Sequence, residues 1–162
     1  MDQAQAEALV EAHGQAVYRL AYARTLNRAD AQDITQEAFL RLVAAAPDFR
    51  DAAHCRAWLL RVAMNCAADL RRREKFRRHV SLEEADQLAA PASPEGDAGV
   101  LEAVGALPEP YRAVVHLFYY EGMSVAEIAR VLGLREGTVR VRLSRARDKL
   151  RILLDGTEGA HV

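Results

Sequence analysis

Aromatic residues are scarce in this chain, 6% of 162 residues with a single tryptophan, and alanine and leucine dominate the apolar set. That mix favours helices over sheets. Cysteine is nearly absent as well. Cys55 and Cys66 stand eleven residues apart in one helical pattern, about three turns, on the same face but too far apart to bridge. They read as reduced core residues. The five histidines, His13, His54, His79, His116 and His161, show no metal-ligand spacing with one another or with the cysteines, so neither a metal nor another cofactor is expected. No nucleophile–base pair and no phosphate-cradling loop is visible, which leaves an enzyme reading without support. No apolar run approaches the length of a membrane span and the N-terminus shows no signal-peptide pattern, so the expected protein is cytoplasmic, with no membrane insertion of its own.

Net charge is the other thing missing, at −1, but the charge is segregated. Residues 69–79 hold six basic side chains against two acids, and residues 135–151 hold seven against Glu136 and Asp148. Residues 81–102 hold six acids and no lysine or arginine. Two basic surfaces joined by an acidic connector suggest two contacts with a polyanion. Solvated helix faces explain either basic run alone, but not the segregation.

The most organised stretch is 124–150, SVAEIARVLGLREGTVRVRLSRARDKL. Val125, Ile128, Ala129 and Leu132 trace one helix, and Val139, Leu143, Ala146 and Leu150 a second. Gly133 sits between them, where a helix–turn–helix needs a left-handed backbone, and Ala129 permits close packing. Ser124 and Glu127 have capping-box spacing. An arginine-rich helix braced by a shorter one suits the DNA major groove.

In chain order, residues 4–26 predict a helix traced by Leu9, Val10, His13, Val17, Leu20, Ala21 and Arg24. A second helix is expected to start with Asp30 as its N-cap and to bury Ile34, Ala38, Leu42 and Ala45. Beside that set run Asp33, Gln36, Glu37 and Leu40; with Phe39 they fit either a wetted face or a protein-binding surface. A loop from Pro47 leads to a third helix, about 54–78, whose buried face is Cys55, Trp58, Leu59, Val62, Cys66 and Leu70. Its other side carries Arg61, Asn65, Ala68, Arg72 and Lys75. Mid-helix asparagine competes for backbone hydrogen bonds, so Asn65 is either a nucleic-acid reader or a tolerated surface residue. Trp58 reads as a core anchor, with base stacking as the other use. Residues 79–99, rich in Pro, Gly, Ser and acid, form the linker, with a possible helical turn at 82–88. The C-terminal domain is 100–154, broken at Pro108 and Pro110, with Val114, Val115, Leu117, Phe118 and Tyr119 in its core. The tail beyond Leu154 is expected to be disordered.

Four stretches carry a family resemblance: DAQDITQEAFLRL at 30–42, AWLLRVAMNCAADLRRR at 57–73, ALPEPYRAVVHLFYYEGMSVAEIARVLGL at 106–134 and GTVRVRLSRARDKL at 137–150. In this order they resemble bacterial RNA polymerase sigma factors of the extracytoplasmic-function (ECF) type, within the sigma-70 family. The resemblance implies an all-α protein of two small helical domains, 4–78 and 100–154, joined by the acidic linker. It implies that Asp33, Gln36, Glu37, Phe39 and Leu40 dock on core RNA polymerase. Loop 49–56, with Arg56, and the face of Arg61, Asn65, Arg72 and Lys75 would read the melted minus-ten element. The helix–turn–helix would read the duplex minus-thirty-five element of promoter DNA through Thr138, Arg140, Val141, Arg142, Ser144, Arg145 and Arg147. Thr138, at the helix start, suits a phosphate. Arg140 and Arg145 are the expected base readers, and Arg142 and Arg147, on opposite flanks, the expected phosphate contacts. Val141 stands where family members commonly carry a polar residue, and two readings are open for it: contact with a thymine methyl, or a shifted promoter preference. The family also implies an anti-sigma partner that covers the DNA-binding domains. Two other readings stay open on the residues: a stand-alone helix–turn–helix regulator on a palindromic operator, and an adaptor that binds only protein.

Overall fold

A computed structural model of the chain describes residues 1–80 and 98–159, with side chains over 1–75 and 102–155. The expected turn at 82–88 and most of the linker lie outside the described residues. Those described form seven α-helices and no strand. The chain splits into two compact units, Met1–Ala90 and Pro91–Val162.

The first unit packs α1 (Gln3–Thr25), α2 (Arg28–Ala45) and α3 (Ala52–Val80) against one another. Asp2 opens α1 through a reciprocal cap: its carboxylate accepts from the Gln5 N–H at 2.8 Å, and its own N–H donates to Gln5 Oε1 at 3.0 Å. Val17, Leu20 and Ala21 face the core as expected, whereas Val10 is exposed. The cap of α2 corrects the expectation at Asp30. Asn27 is the N-cap, extended, and its side-chain oxygen accepts from the Asp30 N–H at 2.9 Å. Asp30 instead lies in the first turn, where its charge complements the helix dipole.

Ala31 and Phe39 join Ile34, Ala38 and Leu42 in the buried set, and Ala45 is exposed. On α3 the fully buried positions are Leu59, Leu60 and Ala63, with Cys55, Met64, Cys66 and Ala67 almost so. Trp58, Val62 and Leu70, expected in the core, are half-buried. Each fully buried leucine contributes roughly 1.5–3 kcal/mol, so Leu20, Leu42, Leu59 and Leu60, one or more from every helix, are the main anchors of this unit.

The second unit is built on α7 (Glu136–Gly159), against which α4 (Ala98–Ala106), α5 (Glu109–Val115) and α6 (Val125–Leu132) pack. Leu107, Val115 and Ala146 form one buried cluster, flanked by Val104, Tyr111 and Leu150. Pro108 and Pro110 fall at the N-cap and first turn of α5, where a missing N–H costs nothing. Val114, Val115 and Leu117 are core; Phe118 is only half-buried and Tyr119 is exposed, contrary to expectation.

The reason is that α5 widens into a π-helical turn over His116–Tyr120, closed by the Glu121 N–H donating to the His116 carbonyl. A π turn aligns residues five apart. It therefore brings His116 Nε2 within 2.9 Å of Glu121 Oε2, both side chains buried. Gly122, at φ 67°, then reverses the chain toward α6. α7 continues to Gly159, so the tail expected to be disordered from 155 is helical that far.

The helix–turn–helix forms with Ile128 and Ala129 buried as expected, but Val131 takes the third buried place on α6 and Val125 and Leu132 are half-buried. Ser124 Oγ accepts from the Glu127 N–H at 3.1 Å, and the Ser124 N–H donates to Glu127 Oε1 at 2.9 Å. Gly133 ends α6 at φ 70°. Ile128, Ala129 and Val131 face Val139, Leu143 and Ala146 across the buried seam. Replacing Ser124 with Ala removes one side of the cap, which costs about 1 kcal/mol. The expected result is a drop of roughly 4–8 °C in the melting temperature of this unit, read by circular dichroism or calorimetry.

Candidate nucleic-acid interface

With its apolar spine buried, α7 divides its polar surface into two flanks. On one, a groove of about 980 Å³ runs between α7 and the start of α5. Thr138, Val141, Arg142 and Arg145 line it from the helix, with Arg135 and Lys149 at its two ends. Pro108, Pro110 and Tyr111 form its other wall. Four cations around one concave surface make an anion-attracting site. Lys149 lies over the Tyr111 ring at 5.8 Å, which ties the groove's far end to α5.

On the other flank, Arg140 pairs with Glu136 at 3.3 Å, an exposed i, i+4 contact. Arg147 Nε donates to the Tyr119 hydroxyl at 2.7 Å, and its guanidinium lies 5.7 Å from the Phe118 ring centre. Ser144 is exposed between the two flanks. The arginines therefore group as Arg142 with Arg145 and Arg140 with Arg147, which puts Arg142 and Arg147 on opposite flanks as expected. Arg135, Lys149 and Tyr111 were not singled out as site residues. The wall supplied by α5 gives no signal in the α7 pattern itself.

In the first unit, Arg61, Asn65, Arg72 and Lys75 are all exposed and recur at helical spacing along α3, so the structure brings them into one stripe. Arg72 is paired with Asp69. Asp69 also meets Arg41 of α2 at 3.8 Å, so the stripe is anchored to the neighbouring helix. Arg56 is not part of the stripe: it is half-buried, and its charge acts on His13 of α1.

The loop before α3 is ordered by aromatic contacts. The Phe49 ring stands edge-on to His54 at 5.3 Å and to Trp58 at 5.9 Å. The Arg50 N–H donates to His54 Nδ1 at 3.1 Å, while Asp51 Oδ1 accepts from the His54 N–H at 2.8 Å. Half-buried Trp58 thus braces the loop and keeps an accessible edge, a role between the two foreseen for it.

Burial, and secondarily the Arg56 charge, hold the His13 imidazole below its ordinary value. The folded chain then keeps His13 neutral where the unfolded chain takes up a proton. Stability is unaffected well above pH 6.5 and is lost as the pH falls below it. Melts at about pH 7.5 and about pH 5.5 should show a drop that is smaller in His13→Gln. Burial also pushes both the Cys55 and the Cys66 thiols up, as expected of inert core cysteines.

The stripe on α2 is exposed at Asp33, Gln36, Glu37 and Leu40, and Leu40 is 58% accessible. Phe39 is a correction: it is 9% accessible and packs into the helical core, so its ring presents little surface to a partner. Val43, one turn beyond Leu40 and 45% accessible, extends the apolar part of the stripe instead. Its spacing from Leu40 was the available signal. Glu37 accepts from Arg41 Nε at 3.1 Å.

Residues 9–77 match sigma-70 region 2, and residues 98–150 match sigma-70 region 4. The chain is 36% identical over 156 residues to the ECF RNA polymerase sigma factor SigL of Mycobacterium tuberculosis, covering 91% of this chain and 87% of that protein. This chain belongs to the ECF sigma factors. The sigma factor is also 30% identical to RNA polymerase sigma factor SigV of Bacillus subtilis, over 88% of this chain and 86% of that one. Against ECF sigma factor SigE of Mycolicibacterium smegmatis the identity is 37%, with 88% of this chain and 59% of that protein covered.

Among solved structures, CnrH, in complex with the cytosolic domain of CnrY, superposes with a TM-score of 0.67 at 36% identity, covering 96% of this chain and 90% of that chain. The sigma factor RpoE of Bartonella quintana, solved with the anti-sigma factor NepR, superposes at 0.72 with 22% identity, covering 87% and 91%, and shares the fold. As a member of this family the chain is a promoter-directing subunit of RNA polymerase. No described helix is long and apolar enough to cross a membrane.

Proposed function

We propose that the sigma factor works in the cytoplasm as a bipartite promoter reader with no chemistry of its own, in which each helical face has a separate task. Residues 4–78 dock on core RNA polymerase through Asp33, Gln36, Glu37, Leu40 and Val43 on α2. The same unit engages melted minus-ten DNA along Arg61, Asn65, Arg72 and Lys75 and at 49–56, the end of the loop and the first turn of α3. Extracting a base from the stack costs a few kcal/mol, and an ordered aromatic loop beside a cationic stripe offsets that cost. Residues 100–154 read the minus-thirty-five duplex from the Arg142/Arg145 groove, with Arg140 and Ser144 on the outer edge of α7. The acidic linker, 79–99, joins the two.

The observation that carries this reading is the exposed acidic–apolar stripe of α2, since a protein that only binds DNA has no use for it. Asp33→Ala with Glu37→Ala should weaken co-elution with core polymerase and leave the helical content unchanged. If that double variant binds core normally and only its DNA binding suffers, the docking face is misplaced. The cationic faces also suit a protein antagonist. RpoE was solved with the anti-sigma factor NepR and CnrH with the cytosolic domain of CnrY, and an anti-sigma partner is expected to cover these faces here.

A further inference from the structure

We propose that Val141 and the bare helical turn at Gly137 form a notch that reads the 5-methyl group of one thymine in the minus-thirty-five duplex. The inference rests on the reading of α7 as the duplex reader and adds the chemical feature that is read. Val141 is 46% accessible and lies in the α7 groove among Arg142, Arg145 and Lys149. An exposed isopropyl group in a cationic surface gains nothing from water or from phosphate. Its use is against an apolar group that arrives with a polyanion.

Gly137 stands one turn before Val141, on the same face of the helix. A Cβ built at Gly137 meets nothing within 4 Å, so the space above it is open to an incoming base pair. Helical side chains lean toward the N-terminus, which sets the Val141 methyls along the edge of this gap. In the major groove thymine presents its methyl beside the O4 acceptor. Arg145, one turn after Val141 and exposed in the same groove, supplies a donor for the neighbouring acceptors.

The test uses the chain assembled with core polymerase and a promoter library randomised over the minus-thirty-five duplex, synthesised once with thymine and once with uracil, which lacks only the methyl. The wild-type protein should select thymine at one position. Uracil there should weaken binding by about fourfold, the factor equivalent to about 0.8 kcal/mol for one buried methyl-sized group. Val141→Ser should remove the difference between the two libraries. Gly137→Ala should fold at least as well as the wild type, because alanine is the better helix former and has room, yet lose the same preference.

Selection of uracil at that position as strong as that of thymine, or a thymine preference that survives in Val141→Ser, overturns the notch. So does selection that depends on Arg145 but shows no thymine position. If no position is selected and Arg145→Ala changes nothing, the reading of α7 as the duplex reader falls, and the notch with it.

Discussion

Arg145→Ala should lower run-off transcription from a minus-thirty-five-dependent promoter by about 5–150-fold, the factor that corresponds to ~1–3 kcal/mol of lost base discrimination. The side chain is exposed on the groove face of α7, while the helix is held from the opposite side by Val139, Leu143 and Ala146. Its removal leaves that seam intact, so the melting temperature and the affinity for core polymerase should stay near wild type. Arg142→Ala should add to the defect, since both arginines line one groove. A residue that contacts phosphate instead of base would weaken all sequences alike and lower the salt dependence by about one counterion. Arg147→Ala should behave differently. Its guanidinium is engaged with Tyr119 and Phe118, so part of its effect should be loss of packing around the π turn. If Arg145→Ala abolishes core binding, the faces have been assigned to the wrong partners.

The second large effect separates two adjacent residues on α2. Phe39→Ala should destabilise the first unit by about 3–5 kcal/mol, because a buried ring is replaced by a cavity. Leu40→Asp should leave the melting temperature nearly unchanged, since Leu40 is 58% accessible, but should weaken core polymerase binding at least as strongly as Asp33→Ala. Thermal melts and co-elution with core polymerase on the same two proteins separate the effects. Equal stability of both variants would contradict the burial of Phe39; normal core binding by Leu40→Asp would contradict the docking stripe.

The elements of the fold that sequence made legible are those with dense local signals. The 124–150 helix–turn–helix announced itself through Gly133, the Ser124–Glu127 cap and an apolar spine; the turn and the cap are present, and the spine is buried at Ile128, Ala129, Val139, Leu143 and Ala146 while Val131 replaces Leu132 on α6. The stripe on α3 was equally readable, because Arg61, Asn65, Arg72 and Lys75 repeat at the helical period and all four are exposed. Where several residues compete for one role, pattern alone misled. Asn27 and Asp30 are both good N-caps, and only the backbone shows that Asn27 adopts the extended cap conformation.

The π turn was invisible for another reason. His116 and Glu121 are five apart, a spacing that puts them on different faces of an α-helix, so nothing marked them as a buried pair. The groove escaped because it is tertiary: its α5 wall, Pro108, Pro110 and Tyr111, is brought beside α7 by the Leu107–Val115–Ala146 cluster and the Lys149–Tyr111 contact. Sequence spacing showed which faces are cationic. It did not show which arginines share a concavity.

The division of labour between a polymerase-docking unit and two DNA-reading faces is tested most directly by one measurement: promoter run-off and duplex binding by the purified chain, with and without core RNA polymerase. The expected result is weak duplex binding by the chain alone, and tight binding with a defined transcript start when core enzyme is present. Specific binding to a duplex operator at equal affinity in both conditions, with no core-dependent transcript, would contradict it.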